Sequence, residues 1–272
     1  PCLTADGYSQ VIFNYRFGRG DEKERIEYKN ADEELAINNR KECGYAAVEY
    51  MPYENGENLN GNTIIELKYY DENNKPFLLP EKGYAKIRQT YNNRGLLIRE
   101  TYHNEENGEE VSARRTDYMV AGIDYEYADD GNLICEVYKD ASDQPVNRYD
   151  TGYAMRFQEF KNGKHVKTHY QGYMDKVLQD VPNKKYGIGS VEYVYANGHE
   201  VEERYFDING NPVLRSDIGC AVLKMEYNNR GLEAAYFYYG TDGEPILRKD
   251  TGYAVLRYQY DELGRKVLLH YF

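Results

Sequence analysis

One short motif returns along the whole chain, and it restricts the fold more than any other feature. Gly-Tyr-Ala occurs at Gly44, Gly83, Gly152 and Gly252, with Gly-Tyr-Ser at Gly7 and Gly-Cys-Ala at Gly219. Eight residues after the anchor comes an aromatic, at Tyr15, Tyr91, Phe160, Tyr227 and Tyr260. Two weaker units keep this register, Met119 before Tyr127 and Gly187 before Tyr195. The Gly44 unit departs from it, with Pro52 in that place and Tyr53 beside it. The anchors 7, 44, 83, 119, 152, 187, 219 and 252 stand 32–39 residues apart, and Tyr-Asn-Asn-Arg-Gly-Leu recurs identically at Tyr91 and Tyr227. A period of this length means stacked units that cannot each bury a core alone.

Each unit opens with a period of two. Ala85, Ile87, Gln89 and Tyr91 alternate with Lys86, Arg88 and Thr90; Ala254, Leu256, Tyr258 and Tyr260 alternate with Val255, Arg257 and Gln259. That pattern predicts a strand buried on one face. The Gly152 unit fits it less well, placing Arg156 in the buried phase and Phe157 beside it. Turn-forming runs follow, such as Asn92-Asn93-Arg94-Gly95, Ala128-Asp129-Asp130-Gly131 and Asp261-Glu262-Leu263-Gly264. Asp and Asn bond their own backbone and Gly supplies positive φ, so a hairpin is predicted. A second strand returns with a branched residue four before a Tyr: Ile98 and Tyr102, Ile134 and Tyr138, Val201 and Tyr205, Val267 and Tyr271. A second turn then precedes Pro76, Pro145, Pro212 or Pro245, a residue tolerated at strand starts and edges. The chain is therefore expected to be all-β: tandem hairpin repeats over residues 1–272, forming an elongated twisted sheet or a β-solenoid. We expect the array to belong to a longer protein.

Composition narrows the function. Lys and Arg total 34 against 46 Asp and Glu, a formal charge of −12; nucleic acid is not an expected partner, because phosphate binding calls for a basic surface. No apolar run approaches membrane-spanning length, so no membrane insertion is expected in this segment. The aromatic set is 31 Tyr, 8 Phe and no Trp, which makes Tyr part of the repeated rule. Cys2, Cys43, Cys135 and Cys220 lie at four different phases, as isolated thiols do and a duplicated disulfide or metal framework does not.

The last unit, Arg257-Tyr-Gln-Tyr-Asp-Glu-Leu-Gly-Arg265, resembles the tyrosine–aspartate (YD) repeat of bacterial Rhs-type proteins and teneurins. Weaker versions run from Tyr91 to Gly95, Tyr127 to Gly131 and Tyr227 to Gly231. The resemblance implies hairpins in a long spiralling sheet. This unit is longer, with its own Gly-Tyr-Ala opening, and Asn92, Ala128 or Asn228 stands where the family has Asp. The length and aromatic content are also similar to the choline- and glucan-binding repeats of bacterial surface proteins, which use Trp. Together these imply a bacterial module appended to a larger surface or glycopolymer-handling protein, located at the cell surface or envelope.

Catalysis needs unlike groups converging in one place. His103, His165, His169, His199 and His270 share no phase, and no nucleophile-elbow, zinc-protease or phosphate-loop motif occurs. No catalytic residue, metal or cofactor is expected. For binding, the anchor tyrosines Tyr45, Tyr84, Tyr153 and Tyr253 are expected to project opposite to the Ala–Val stripe. There they would form a platform with Arg88, Lys224 and Arg257, and with one member of each double aromatic such as Tyr205-Phe206 or Tyr238-Tyr239. The first expectation is a non-catalytic module binding glycan or cell-wall polymer along one face. The second, which requires those rings to be packed inside, is a spacer or docking array that self-associates through its sheet face or open edge.

Overall fold

The computed structural model describes residues 7–15, 23–38, 44–52 and 62–272. Among them are eighteen β-strands and no helix, so the all-β hairpin architecture holds. Cys2, Cys43 and Tyr53 lie outside the described residues. The chain divides into two compact units, residues 1–126 with 137–145 and residues 127–136 with 146–272.

In the first unit, β1 (Gln10–Tyr15), β2 (Lys23–Lys29), β3 (Ala47–Pro52), β4 (Thr63–Tyr70), β5 (Lys86–Tyr91) and β6 (Leu97–Glu106) pair antiparallel in chain order. The far edge of β6 is shared by β7 (Glu109–Ser112) and β8 (Gly122–Tyr127). Strand β9 is Leu133–Lys139. In the second unit, β10 (Met155–Lys161) pairs with β11 (Lys164–Met174), whose far edge is likewise shared, by β12 (Val177–Asp180) and β13 (Ser190–Ala196). The ladder runs on through β14 (His199–Phe206), β15 (Val222–Tyr227), β16 (Glu233–Tyr239), β17 (Val255–Tyr260) and β18 (Lys266–Tyr271).

One turn serves both ends of the hairpins. Asn30, Asp71, Asn92, Asp140, Asp207 and Asn228 each accept, on Oδ1, the N–H groups two and four residues on, at 2.8–3.1 Å. The side chain thereby mimics a turn of backbone, which is why Asp or Asn recurs there. After the second strand this turn, closed by backbone alone at Gly240, brings Pro76, Pro145, Pro212 and Pro245 into single bridges with Tyr70, Lys139, Phe206 and Tyr239. Two strands bypass it. β6 and β11 continue into tight two-residue turns, Asn107-Gly108 and Asp175-Lys176, with φ positive at both positions, and β7 and β12 are the returning arms.

The core is a tyrosine ladder at the anchor end of the hairpins. In the first unit six rings follow one another, Tyr8, Tyr28, Tyr45, Tyr69, Tyr84 and Tyr102, with centroids 4.8–6.2 Å apart. In the second, Tyr153 stacks on Tyr170 at 4.6 Å, and Tyr253 lies between Tyr238 and Tyr271. Ile188 and Cys220, 2% and 0% exposed, take the places of anchor tyrosines. Such ring pairs contribute about 0.5–1.5 kcal/mol each beyond their burial.

Candidate functional site

All eight anchor residues, Gly7, Gly44, Gly83, Met119, Gly152, Gly187, Gly219 and Gly252, have positive φ. Before most of them the chain closes a tight loop. Leu79, Arg115, Arg148, Asn183, Arg215 and Arg248 each accept the anchor's N–H and donate to the carbonyl of the residue after it, at 2.6–3.0 Å. At Gly83, Gly152 and Gly219 an added Cβ would also meet Thr116, Lys184 or Lys249 of the next loop at 2.5–2.8 Å. The anchor glycine is thus set by both backbone conformation and close approach.

These loops carry a constellation that the sequence reading missed. Arg115-Thr-Asp117, Arg148-Tyr-Asp150, Arg215-Ser-Asp217 and Arg248-Lys-Asp250 place an arginine four residues before the anchor and an aspartate two before it. Each guanidinium grips its aspartate through Nε and Nη2, at 2.6–3.0 Å. Nη1 of Arg115, Arg215 and Arg248 donates to the hydroxyl of Tyr102, Tyr205 and Tyr238 at 3.2 Å. Burial opposes the charge on Arg215, but the bonds to Asp217 and Tyr205 more than offset it and hold the group above its usual range. The recurrent Arg-x-Asp spacing was the available signal. Its chemistry is satisfied within the chain, so the fork fixes the loop over the ladder.

The expected platform does not assemble. Tyr84 and Tyr153 are 6% and 5% exposed inside the ladder, and Tyr45 and Tyr253 are half-buried in it. They do not project opposite to the apolar stripe. Tyr84 stacks on Tyr102, the cross-strand partner of the stripe residue Ile87. The physical reason is that β5 begins at Lys86. Tyr84 belongs to the anchor loop, where the alternation of a pleated strand does not apply.

Arg88, Lys224 and Arg257 do lie on the other, polar face. Arg88 donates to Glu66 at 2.6 and 2.9 Å and to Glu110 at 2.9 Å. Lys224 sits 3.7 Å from Glu202 and 5.2 Å from the Tyr239 ring, and Arg257 lies 5.3 Å over Phe237. One member of a double aromatic does therefore share that face, under a cation of the same chain. Arg156, in the buried phase, is paired with Glu136 at 2.7 Å, and Phe157 stacks on His169.

A cleft of about 300 Å³ opens on the polar face of the first unit, between Lys68, Tyr70, Pro76, Lys86, His103 and Glu110. His103 bridges Thr101 Oγ1 at 2.8 Å and Glu110 at 3.1 Å. Burial first, then Arg88, keeps its imidazole below the ordinary pKa. The hydroxyl–imidazole–carboxylate order is that of a nucleophile relay. Glu110, however, is shared with Lys86 and Arg88, which weakens its pull on the imidazole. The cluster clamps β7 onto β5 and β6.

No family model and no curated protein matches the chain. Among solved structures, a chain of the TcdB2-TccC3-Cdc42 crystal structure is similar over 91% of this chain and 16% of its own length, with 13% identity and a TM-score of 0.23. A chain of the TcdB2-TccC3-TEV structure is similar over the same shares, with 11% identity and a TM-score of 0.22. The chain spans about a sixth of the length of either, as the 16% coverage shows.

Proposed function

We propose that this chain is a non-catalytic structural repeat array, a spacer and docking scaffold within a larger protein. The observation that carries this reading is the fate of the one constellation repeated in every unit. The residue after the anchor is buried at Tyr8, Tyr84, Val120, Tyr153, Ile188 and Cys220, and half-buried at Tyr45 and Tyr253. What the sequence repeats is a packing rule, and on the polar face Arg88, Lys224 and Arg257 are already paired or set over rings. A glycan platform built from the anchor tyrosines has no support in this arrangement.

The test separates the two readings. Tyr84→Ala and Tyr153→Ala should each lower stability by about 3–5 kcal/mol, as large-to-small changes of buried aromatics do. The parent should show no retention on immobilised neutral or acidic polysaccharides. If Tyr84→Ala instead keeps the parent's unfolding midpoint and abolishes polysaccharide binding, the scaffold reading is wrong.

A further inference from the structure

Strand β12 is built differently from its counterpart β7. Both are returning arms that, among the described residues, pair on one side only. β7 presents Glu109 and Glu110, and charge along a free edge discourages pairing with other strands. β12 reads Val177-Leu178-Gln179-Asp180 and all four residues are exposed. With Met174, 46% exposed, Val177 at 62% and Leu178 at 40% form an apolar tip on the hairpin.

The register sets which backbone groups are free. Met174 pairs with Val177 across a two-residue turn, Tyr173 with Leu178, and Gly172 with Gln179. Residues flanking such a turn exchange their hydrogen bonds, and the pattern then alternates. The N–H and C=O of Leu178 therefore point away from β11. Lys176 stands at one end of the strand and Asp180 at the other, both exposed. Asp180 accepts a bond from Gln171 at 3.1 Å through Oδ1, and its second oxygen is available to a further donor.

We infer that β12 is a self-association strand, pairing antiparallel with β12 of a second copy about a two-fold axis at Leu178. Antiparallel pairing centred there sets Val177 of one copy against Gln179 of the other, twice, and brings Lys176, in the turn just before the strand, level with Asp180 of the second copy, within reach of its long side chain. The charge order of the segment is thus complementary to its own reverse, as a two-fold contact between identical surfaces requires. Leu178 exchanges both backbone hydrogen bonds with its equivalent and lies beside it on one face, while Val177 packs beside Gln179 of the second copy on the other. So short an edge gives a weak dimer, at the small end of specific interfaces.

Sedimentation velocity of the full chain, from micromolar to millimolar loading, tests this. The expected result is a reversible monomer–dimer equilibrium. Lys176→Asp and Asp180→Lys should each weaken it by at least about tenfold, because like charges then face each other. An equimolar mixture of the two variants should restore association, since the mixed pair is again complementary. Both positions are exposed, and unchanged unfolding midpoints check that the variants fold. A parent that stays monomeric throughout overturns the inference. So does a variant that self-associates as the parent does, or growth beyond dimers, since either places the contact on another surface.

Discussion

Arg215 donates to the Tyr205 hydroxyl at 3.2 Å while the same guanidinium holds both carboxylate oxygens of Asp217 at 2.8 and 3.0 Å. The pair ties the connecting loop to a tyrosine that is 1% exposed. Arg215→Met should cost about 1.5–3 kcal/mol, the range for hydrogen bonds to charged groups. Arg215→Lys should recover little, because an ammonium cannot reproduce the planar fork. Chemical denaturation of the three proteins measures both; full recovery by Lys would reduce the fork to a simple charge.

Close approach separates the anchor glycines. Gly83→Ala brings a methyl to within 2.7 Å of Thr116 and 2.9 Å of the Arg114 carbonyl, whereas Gly44 and Gly252 face open space. All three substitutions carry the left-handed penalty of about 1–2 kcal/mol, and Gly83→Ala should cost clearly more. Equal thermal shifts for the three would show that the loops yield freely.

Met119 invites the reverse change. It holds φ 59° with its side chain 44% exposed, so glycine would relieve strain at little loss of contact. The gain is offset by the greater freedom of glycine in the unfolded chain. Met119→Gly should be stabilising by about 0.5 kcal/mol, and a lowered midpoint would show that the Met side chain contributes packing.

Glu200 makes stability depend on pH near neutrality. Burial, then the charge and hydrogen bond of Glu203, push its carboxyl up to about 7 from 4.5. The folded chain holds this proton more tightly than the unfolded chain. Its contribution is therefore fully present below the unfolded value of 4.5 and is lost as pH rises through about 7. Denaturation midpoints should fall between about pH 5 and pH 8, and Glu200→Gln should flatten that decline. An identical slope in the variant would assign it to another group.

Cys220 occupies a ladder position at 0% exposure, and burial pushes its thiol up to about 11. Cys220 and the buried Cys135 both carry their sulfur as a thiol, outside any disulfide. Neither should react with an aromatic disulfide reagent in the native protein, and both should react on unfolding. Rapid labelling of Cys220 under native conditions would mean that the loop over it opens readily.

Much of this fold was legible because its signals are local. Alternation around Ile87 and Leu256 marks strands, and Asn92 or Asp207 marks turns through its own side-chain bonds. The same alternation put Arg88, Lys224 and Arg257 on the polar face. It misled at Tyr84, where the period was carried two residues beyond the strand into a loop with different geometry. The Arg-x-Asp forks went unread because charged pairs in an acidic chain look like solvated surface, and only the folded loop brings Arg215 over Tyr205. Of the two extra hairpins, Asn107-Gly108 carries a plain turn signal. Asp175-Lys176 does not, since lysine seldom takes positive φ.

The loop-to-loop fit at the anchors also bears on how such a chain changes length. Gly187 meets Ser216 of the following loop as Gly219 meets Lys249, and the Ser216 and Lys249 N–H groups bond back to Tyr186 and Ile218. These two junctions offer the same backbone donor and acceptor and a similarly close fit. Excising residues 187–218 would join equivalent surfaces, whereas removing half of that span would oppose unlike ones. Length in this architecture is quantised: whole repeats are exchangeable currency for duplication, deletion or recombination, and fractional ones are not.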